Sequence, residues 1–288
     1  MECVLVDRGR GFAGMERLFA EGVNQVNGGY VDVHAHLADA RLRDRFDVIL
    51  AECVQQGVGG ILVNAARREE WPAVEALSRR PGVFGALGIH PFFPEDWRAE
   101  TLAELRQALT APESRGHVLA VGEIGLDFQH GRDLAARQLA MFRAQLQLAR
   151  ELDLPVCLHN RKAWPDFFGL LKELGWDQVR GYCHHFTGSM DIAREALDHG
   201  LYLSFCGPVT YPEAHRLHQA ARYAPADRIL TETDCPDLPA QEYRGQESLP
   251  WHVRSVVQCL AALRDEAPEQ AASHVWANWR RLFFPDAP

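Results

Sequence analysis

Two histidines two residues apart, His34 and His36, close a short apolar run, Tyr30-Val-Asp-Val-His-Ala-His. On an extended backbone both imidazoles point to one side, so they can share one cation. In a chain with thirteen histidines such a pair also has an ordinary reading as core or surface residues. Asp32, just before it in an apolar strand, argues against that, because a buried pair would need other polar partners. The pair is read as metal ligands.

Glu123 stands in Ala120-Val-Gly-Glu-Ile-Gly-Leu-Asp127, behind residues expected to be buried on both faces. A carboxylate there is costly unless it is paired or metal-bound. Glycines on either side let backbone and ligand approach closely. Two carboxylate oxygens can bridge two cations, so Glu123 is the expected bridging ligand; the competing use is a buried ion pair with Arg161. His159 and His184 each end an apolar run. Either alone would pass as a satisfied core histidine, but with Glu123 they supply nitrogen and oxygen ligands for a second metal. His185, adjacent, is expected to face the opposite way.

Asp234, in Ile229-Leu-Thr-Glu-Thr-Asp, combines two capacities. It can ligate a metal and can accept the proton of an attacking water as a general base, which makes it, with Glu123, the expected catalytic pair. Glu232, two residues earlier, either orients a ligand from behind or forms an ion pair deeper in the fold. His90, in Gly88-Ile-His-Pro, is expected to donate to a substrate phosphate, the alternative being a hydrogen bond to its own turn. Arg161 offers a planar fork that matches phosphate, or an ordinary surface salt bridge.

These groups gather because of the elements that carry them. Eight short apolar runs read as strands: Tyr30–His34, Gly60–Asn64, Val83–Ile89, Val118–Glu123, Pro155–His159, Val179–His184, Leu201–Phe205 and Ile229–Thr233. Amphipathic stretches alternate with them, clearest over Arg41–Gln56, Leu134–Leu152 and Met190–His199, which is the pattern of βα units and a parallel sheet. Gln138, Phe142, Gln145, Leu146 and Ala149 form one helical stripe that should pack on that sheet. Glu269–Phe283 reads as a terminal helix with Trp276 and Trp279 on the outside. The expected fold is a (β/α)8 TIM barrel, in which functional groups collect at the carboxyl ends of the strands. The barrel domain is placed at residues 30–288, and residues 1–29 form an N-terminal extension of unknown structure.

At 288 residues, 47% hydrophobic and 24% charged, the chain has the composition of an ordinary globular protein. No apolar run approaches the roughly 20 residues that cross a bilayer, and no export signal is seen, so neither a membrane nor an obligate protein partner is expected. The seven scattered cysteines contain no C-x-x-C pair, which suits small buried hydrophobes at strand positions in a reducing cytoplasm. A net charge of −9 predicts weak, transient engagement of any nucleic acid, centred on the metals.

The combination resembles the TatD family of metal-dependent deoxyribonucleases, within the amidohydrolase-like barrels. The matching segments are Asp32-Val-His-Ala-His36, Gly88-Ile-His-Pro91, Val121-Gly-Glu-Ile-Gly-Leu-Asp127, Leu154-Pro-Val-Cys-Leu-His-Asn-Arg161, His184-His-Phe-Thr-Gly188 and Glu232-Thr-Asp-Cys-Pro236. The resemblance implies His34, His36, Glu123 and Asp234 around one divalent ion, and Glu123, His159 and His184 around another. It further implies a cytoplasmic nuclease acting on DNA or RNA, most naturally at single-stranded ends. Mixed nitrogen and oxygen ligands suit Mg, Mn or Zn. The departures are His185 and Thr187, where the family commonly has cysteine and serine, and Cys235, where it often has alanine or serine. These bear on pocket shape.

The alternative is a metal-dependent amidohydrolase or lactonase acting on a small molecule, to which the acidic charge is no obstacle. Many such enzymes bridge their metals with a carbamylated lysine, whereas this chain has only Lys162 and Lys172. A catalytically idle scaffold would have lost at least one ligand, and every expected position is filled.

Overall fold

A computed structural model describes residues 29–285. Eight strands, β1 (Tyr30–Ala35), β2 (Val58–Asn64), β3 (Val83–Leu87), β4 (Val118–Asp127), β5 (Val156–Arg161), β6 (Gly181–Cys183), β7 (Tyr202–Phe205) and β8 (Ile229–Thr231), pair in parallel in chain order. The amide of Asp234 donates to His34 O at 2.9 Å, the amide of His36 donates to Cys235 O at 2.9 Å, and Ala35 bridges Cys235. These contacts close the sheet into the expected (β/α)8 barrel.

The helices are α1 (Phe46–Gln55), α2 (Trp71–Leu77), α3 (Thr101–Thr110), α4 (Ala135–Glu151), α5 (Trp164–Glu173), α6 (Met190–Asp198), α7 (His215–Tyr223), α8 (Val253–Leu263) and α9 (Pro268–Phe283). They cover the outer face of the sheet, so strands buried on both sides become near-continuous apolar runs. All ten residues of β4 are buried.

The strand runs are found where the apolar pattern puts them, and the ends differ. β4 runs four residues past Glu123, because Leu126 and Asp127 still pair with Asn160 and Arg161 of β5. β6 and β8 stop short, leaving His184 and Asp234 just beyond the last paired residue. The first helix starts later than Arg41, since Arg43–Arg45 form a 3-10 turn before α1.

The stripe on α4 meets the barrel through hydrogen bonds as well as apolar contact. Gln145 accepts from the amide of Ile89 at 2.8 Å and donates to its carbonyl at 3.2 Å. Gln138 accepts from the amide of Asp127 at 2.9 Å and donates to its carbonyl at 3.0 Å. One helix face thus pins the carboxyl ends of β3 and β4, where backbone groups have run out of neighbouring strand.

At the opposite end α9 departs from expectation. Trp276 is half-buried near Gly59, but Trp279 is buried and contacts Phe84 of β3, Phe283 and Phe284. Phe283 in turn meets Tyr182 of β6. Because β3 and β6 lie three strands apart, these aromatics reach across and floor the amino-terminal end of the barrel.

Of the described cysteines, Cys157 and Cys183 lie in strands, while Cys53 and Cys259 lie in helices, and all are unpaired. The reading of residues 1–29 falls, but for Gly29, outside the described residues. Among those described, no helix is long and apolar enough to cross a membrane.

Candidate metal centre

The barrel mouth is organised around the Glu123 carboxylate, whose two oxygens face two different sets of groups. Oε2 lies 3.3 Å from His34 Nε2 and 3.5 Å from His36 Nε2. Those two nitrogens are 3.2 Å apart, and Asp234 Oδ1 stands 3.7 and 3.3 Å from them. Oε1 lies 2.8 Å from both His159 Nδ1 and His184 Nε2, and 3.2 Å from His90 Nε2. Groups from β1, β5 and the segments after β6 and β8, with the turn after β3, therefore gather around one carboxyl group on β4.

Local sequence explains the convergence. At Gly125, φ is +153° and a Cβ would sit 1.9 Å from His159 O, so only glycine lets β4 approach β5 this closely. Asp32, behind His34, accepts from the amides of His34 at 3.2 Å and Thr233 at 3.0 Å and hydrogen-bonds the Thr233 hydroxyl at 2.5 Å. It staples β1 to the segment that presents Asp234. Burial pushes the Asp32 carboxyl up to about 8.

The outer nitrogen of each ring decides what its inner nitrogen offers. His36 Nδ1 lies 3.1 Å from Asn64 O, which can only accept, so this nitrogen carries the proton and Nε2 turns a lone pair inward. His159 Nε2 faces Asp127 Oδ2 at 2.9 Å, leaving Nδ1 toward Glu123. His184 Nδ1 faces Glu232 Oε1 at 3.5 Å, leaving Nε2 inward. With the rings neutral, acceptors point at acceptors across the centre, an arrangement that a bound cation or protons on the rings satisfy. The mixed nitrogen and oxygen donors fit a divalent metal, and His34, His36 and Glu123 can converge on one ion.

Protonation follows the same geometry. Burial pushes the Glu123 carboxyl up, but the charges of His90, His184 and His34 and the hydrogen bond to His159 outweigh it and hold it well below its ordinary range. Burial also pulls His36 down, yet Asp234 and then Glu123 raise it to about 9. Burial opposes the charging of His184 and His159 too, and Glu123 with Glu232 or Asp127 more than compensates. His34 is held low by burial and by the charge of His184. Where positive charge would be held, protons are drawn.

Other expected residues fall differently. His90 Nδ1 accepts from the amide of Phe92 at 3.0 Å, so the turn alternative is realised and Nε2 points at Glu123. Glu232 is fully buried and accepts from the amide of His185 at 2.5 Å and from Ser204 Oγ at 2.6 Å, so it braces the His184 loop, and among the described residues it pairs with no arginine. Arg161 is exposed, and Glu123 is ringed by histidines, so the pairing of these two is not what the fold uses. The expectation that His185 faces opposite to His184 rested on strand alternation, and its ring lies 6.1 Å from that of His184. His185, with a φ of +40°, lies beyond the end of β6, where strand alternation no longer holds, and it feels the charge of Asp234. Burial depresses it to about 4.

Asp127 is the main residue that the sequence reading passed over. It is buried and holds His159 through Nε2. The signal was present, since Glu123, Gly125 and Asp127 share one face of β4 by alternation. Cys157, whose Sγ lies 3.1 Å from His34 Nδ1, needed the β1 to β5 distance across the barrel and had no local signal.

Residues 31–284 match the model of a family described as TatD related DNase. The chain is 35% identical to the uncharacterized metal-dependent hydrolase YabD of Bacillus subtilis over 257 residues, covering 88% of this chain and 98% of the relative. It is 32% identical to the 3′-5′ ssDNA/RNA exonuclease TatD of Erwinia billingiae, over 88% of this chain and 98% of that one. The crystal structure of YjjV, a TatD homologue from Escherichia coli, superposes with a TM-score of 0.83 at 32% identity, covering 90% of this chain and 98% of that chain.

Proposed function

The chain belongs to the TatD-related DNase family and is a metal-dependent hydrolase; from that premise we propose that it is a two-metal nuclease that cleaves phosphodiester bonds at single-stranded ends of DNA or RNA. The observation that carries this reading is the mouth where the inner ring nitrogens of His36, His159 and His184 face the oxygens of Glu123. His34, His36 and Asp234 with Glu123 Oε2 would hold one divalent ion, and His159 and His184 with Glu123 Oε1 a second, with magnesium, manganese and zinc as the candidates. Such a pair, when bound, supplies Lewis acidity to a phosphoryl oxygen and acidifies a water.

The chain's own residues supply the remainder. Despite its burial, Asp234 is held below the usual carboxylate range by the His36 hydrogen bond and the charges of His184 and His34, so it is ionised at neutral pH. Its side chain is 14% exposed against 3% for Glu123, which lets it meet water and take a proton at a carboxylate oxygen. Asp127 keeps the His159 ring in one orientation. Arg161, exposed just past His159, is available to a backbone phosphate. The Erwinia billingiae relative's name favours nucleic acid, and the −9 charge limits the encounter to a weak one. Within this reading the barrel from residue 30 onward carries the site, and the unpaired cysteines suit the cytoplasm.

The test is hydrolysis of end-labelled single-stranded DNA and RNA with magnesium, manganese or zinc added. Asp234→Asn is expected to lower the rate by roughly a thousandfold while circular dichroism stays unchanged. An unchanged rate in that variant sinks the role of Asp234. Absence of products from the wild type with all three metals, together with turnover of a lactone or amide, replaces the nuclease by the small-molecule hydrolase.

A further inference from the structure

Among the described phenylalanines only Phe92 is exposed, with 50% of its surface open. It sits in the turn after β3, and that turn is fixed because its amide donates to His90 Nδ1 at 3.0 Å. Its ring stands 4.4 Å from the His90 ring and 5.9 Å from the His159 ring, centroid to centroid, so it borders the side of the mouth that faces Glu123 Oε1. The neighbouring rim aromatics are already covered by cations. The guanidinium of Arg67 lies 4.6 Å over Phe93, and that of Arg132 lies 4.4 Å over Phe128. Among the described residues no such cation covers Phe92.

The charges at the mouth are equally uneven. On the β1 and β8 side, Arg41 is paired with Asp39 and Asp237, and Arg45 with Glu247. At the end of β5, Arg161 and Lys162 are exposed and form no ion pair among the described residues. An open aromatic ring and two cations without an ion pair among the described residues thus flank His159. Stacking on an aromatic ring and attraction of phosphate by basic side chains are how single strands are held without reading sequence.

We propose that Phe92 is a stacking platform for the base of the nucleotide being removed, and that the strand continues over Arg161 and Lys162. This rests on the nuclease reading above and adds to it a requirement for a base, which phosphodiester hydrolysis alone does not have. A ring at this place makes the enzyme select nucleotides over phosphodiesters without one.

The experiment compares a short single-stranded oligonucleotide with the same strand carrying abasic residues at both ends. The wild type should prefer the intact strand in kcat/KM by roughly 5- to 100-fold, the range that one base-to-aromatic stack supports. Phe92→Ala should bring the ratio near one, and Phe92→Trp should restore it. Fluorescence anisotropy of the metal-free protein with the same two labelled strands should show the same ratio in Kd. If the wild type cuts both strands equally, or Phe92→Ala leaves the ratio intact, the platform is wrong and the nuclease stands. If the wild type cuts neither strand, the nuclease reading falls and the platform with it.

Discussion

The two ends of the barrel are both largely buried, yet one is filled with histidine and carboxylate and the other with aromatic carbon. At the floor, Trp279, Phe84, Phe283 and Tyr182 gain from burial directly, by area and contact. At the mouth burial opposes every charged group, and Glu123 stays ionised only because His90, His184, His34 and His159 surround it. The floor is thus made of contributions that can be exchanged for others of similar volume. The mouth is made of groups that each depend on the next, so a change there alters chemistry before it alters stability.

The largest effect that could break this contrast comes from the floor. Trp279→Ala should cost about 3–5 kcal/mol, because the neighbours cannot close over a lost indole. The melting temperature should drop by roughly 10 °C for a domain of this size. kcat/KM at a temperature where the variant is folded should stay within about threefold, since the ring contacts of Trp279 are with Phe84, Phe283 and Phe284 rather than with the cluster. A large loss of turnover without a loss of stability would show that floor and mouth are coupled.

A smaller effect sharpens the other half. Asp127→Asn keeps the shape of the side chain but removes the charge that holds His159 Nε2 at 2.9 Å. kcat or metal affinity should fall roughly 10- to 100-fold, the usual result of losing a partner behind a ligand. Metal titration by calorimetry and a denaturant melt of the metal-free protein separate the two quantities, and stability should barely move.

The smallest effect belongs to a buried histidine outside both regions. His252 stacks on Tyr243 at 3.5 Å and accepts from the amide of Leu249 at 3.1 Å, and burial lowers it to about 4. The unfolded chain therefore takes up this proton first as pH falls. The contribution of the neutral ring is complete above about 6.5 and is lost progressively down to about 4. The denaturation midpoint of the wild type should fall more steeply over that interval than that of His252→Gln, and coinciding slopes would refute the assignment.

Much of this was legible in the sequence because the relevant signals are local. An apolar run of strand length ending in His34, Glu123 or His159 announces both the strand and the end at which a polar group emerges. The two-residue spacing of His34 and His36 places both rings on one side wherever the strand goes. Eight such runs alternating with helical stretches determine a parallel barrel, and the TatD motifs ride on them in order.

The rest depended on what the chain meets after it closes. His185 escapes the strand alternation because β6 ends before it and φ turns positive, which residue types do not announce. His90 turns toward Glu123 because the Phe92 amide claims its other nitrogen, and Asp127 matters because β5 lies beside β4 in one register. Trp279 sits beneath the barrel because the end of α9 packs against Phe84 of β3 and Tyr182 of β6. Local pattern determined which groups stand at strand ends. Only tertiary packing decided which atoms of those groups face each other, because hydrogen-bond partners and ring orientations are set by neighbours distant in the chain.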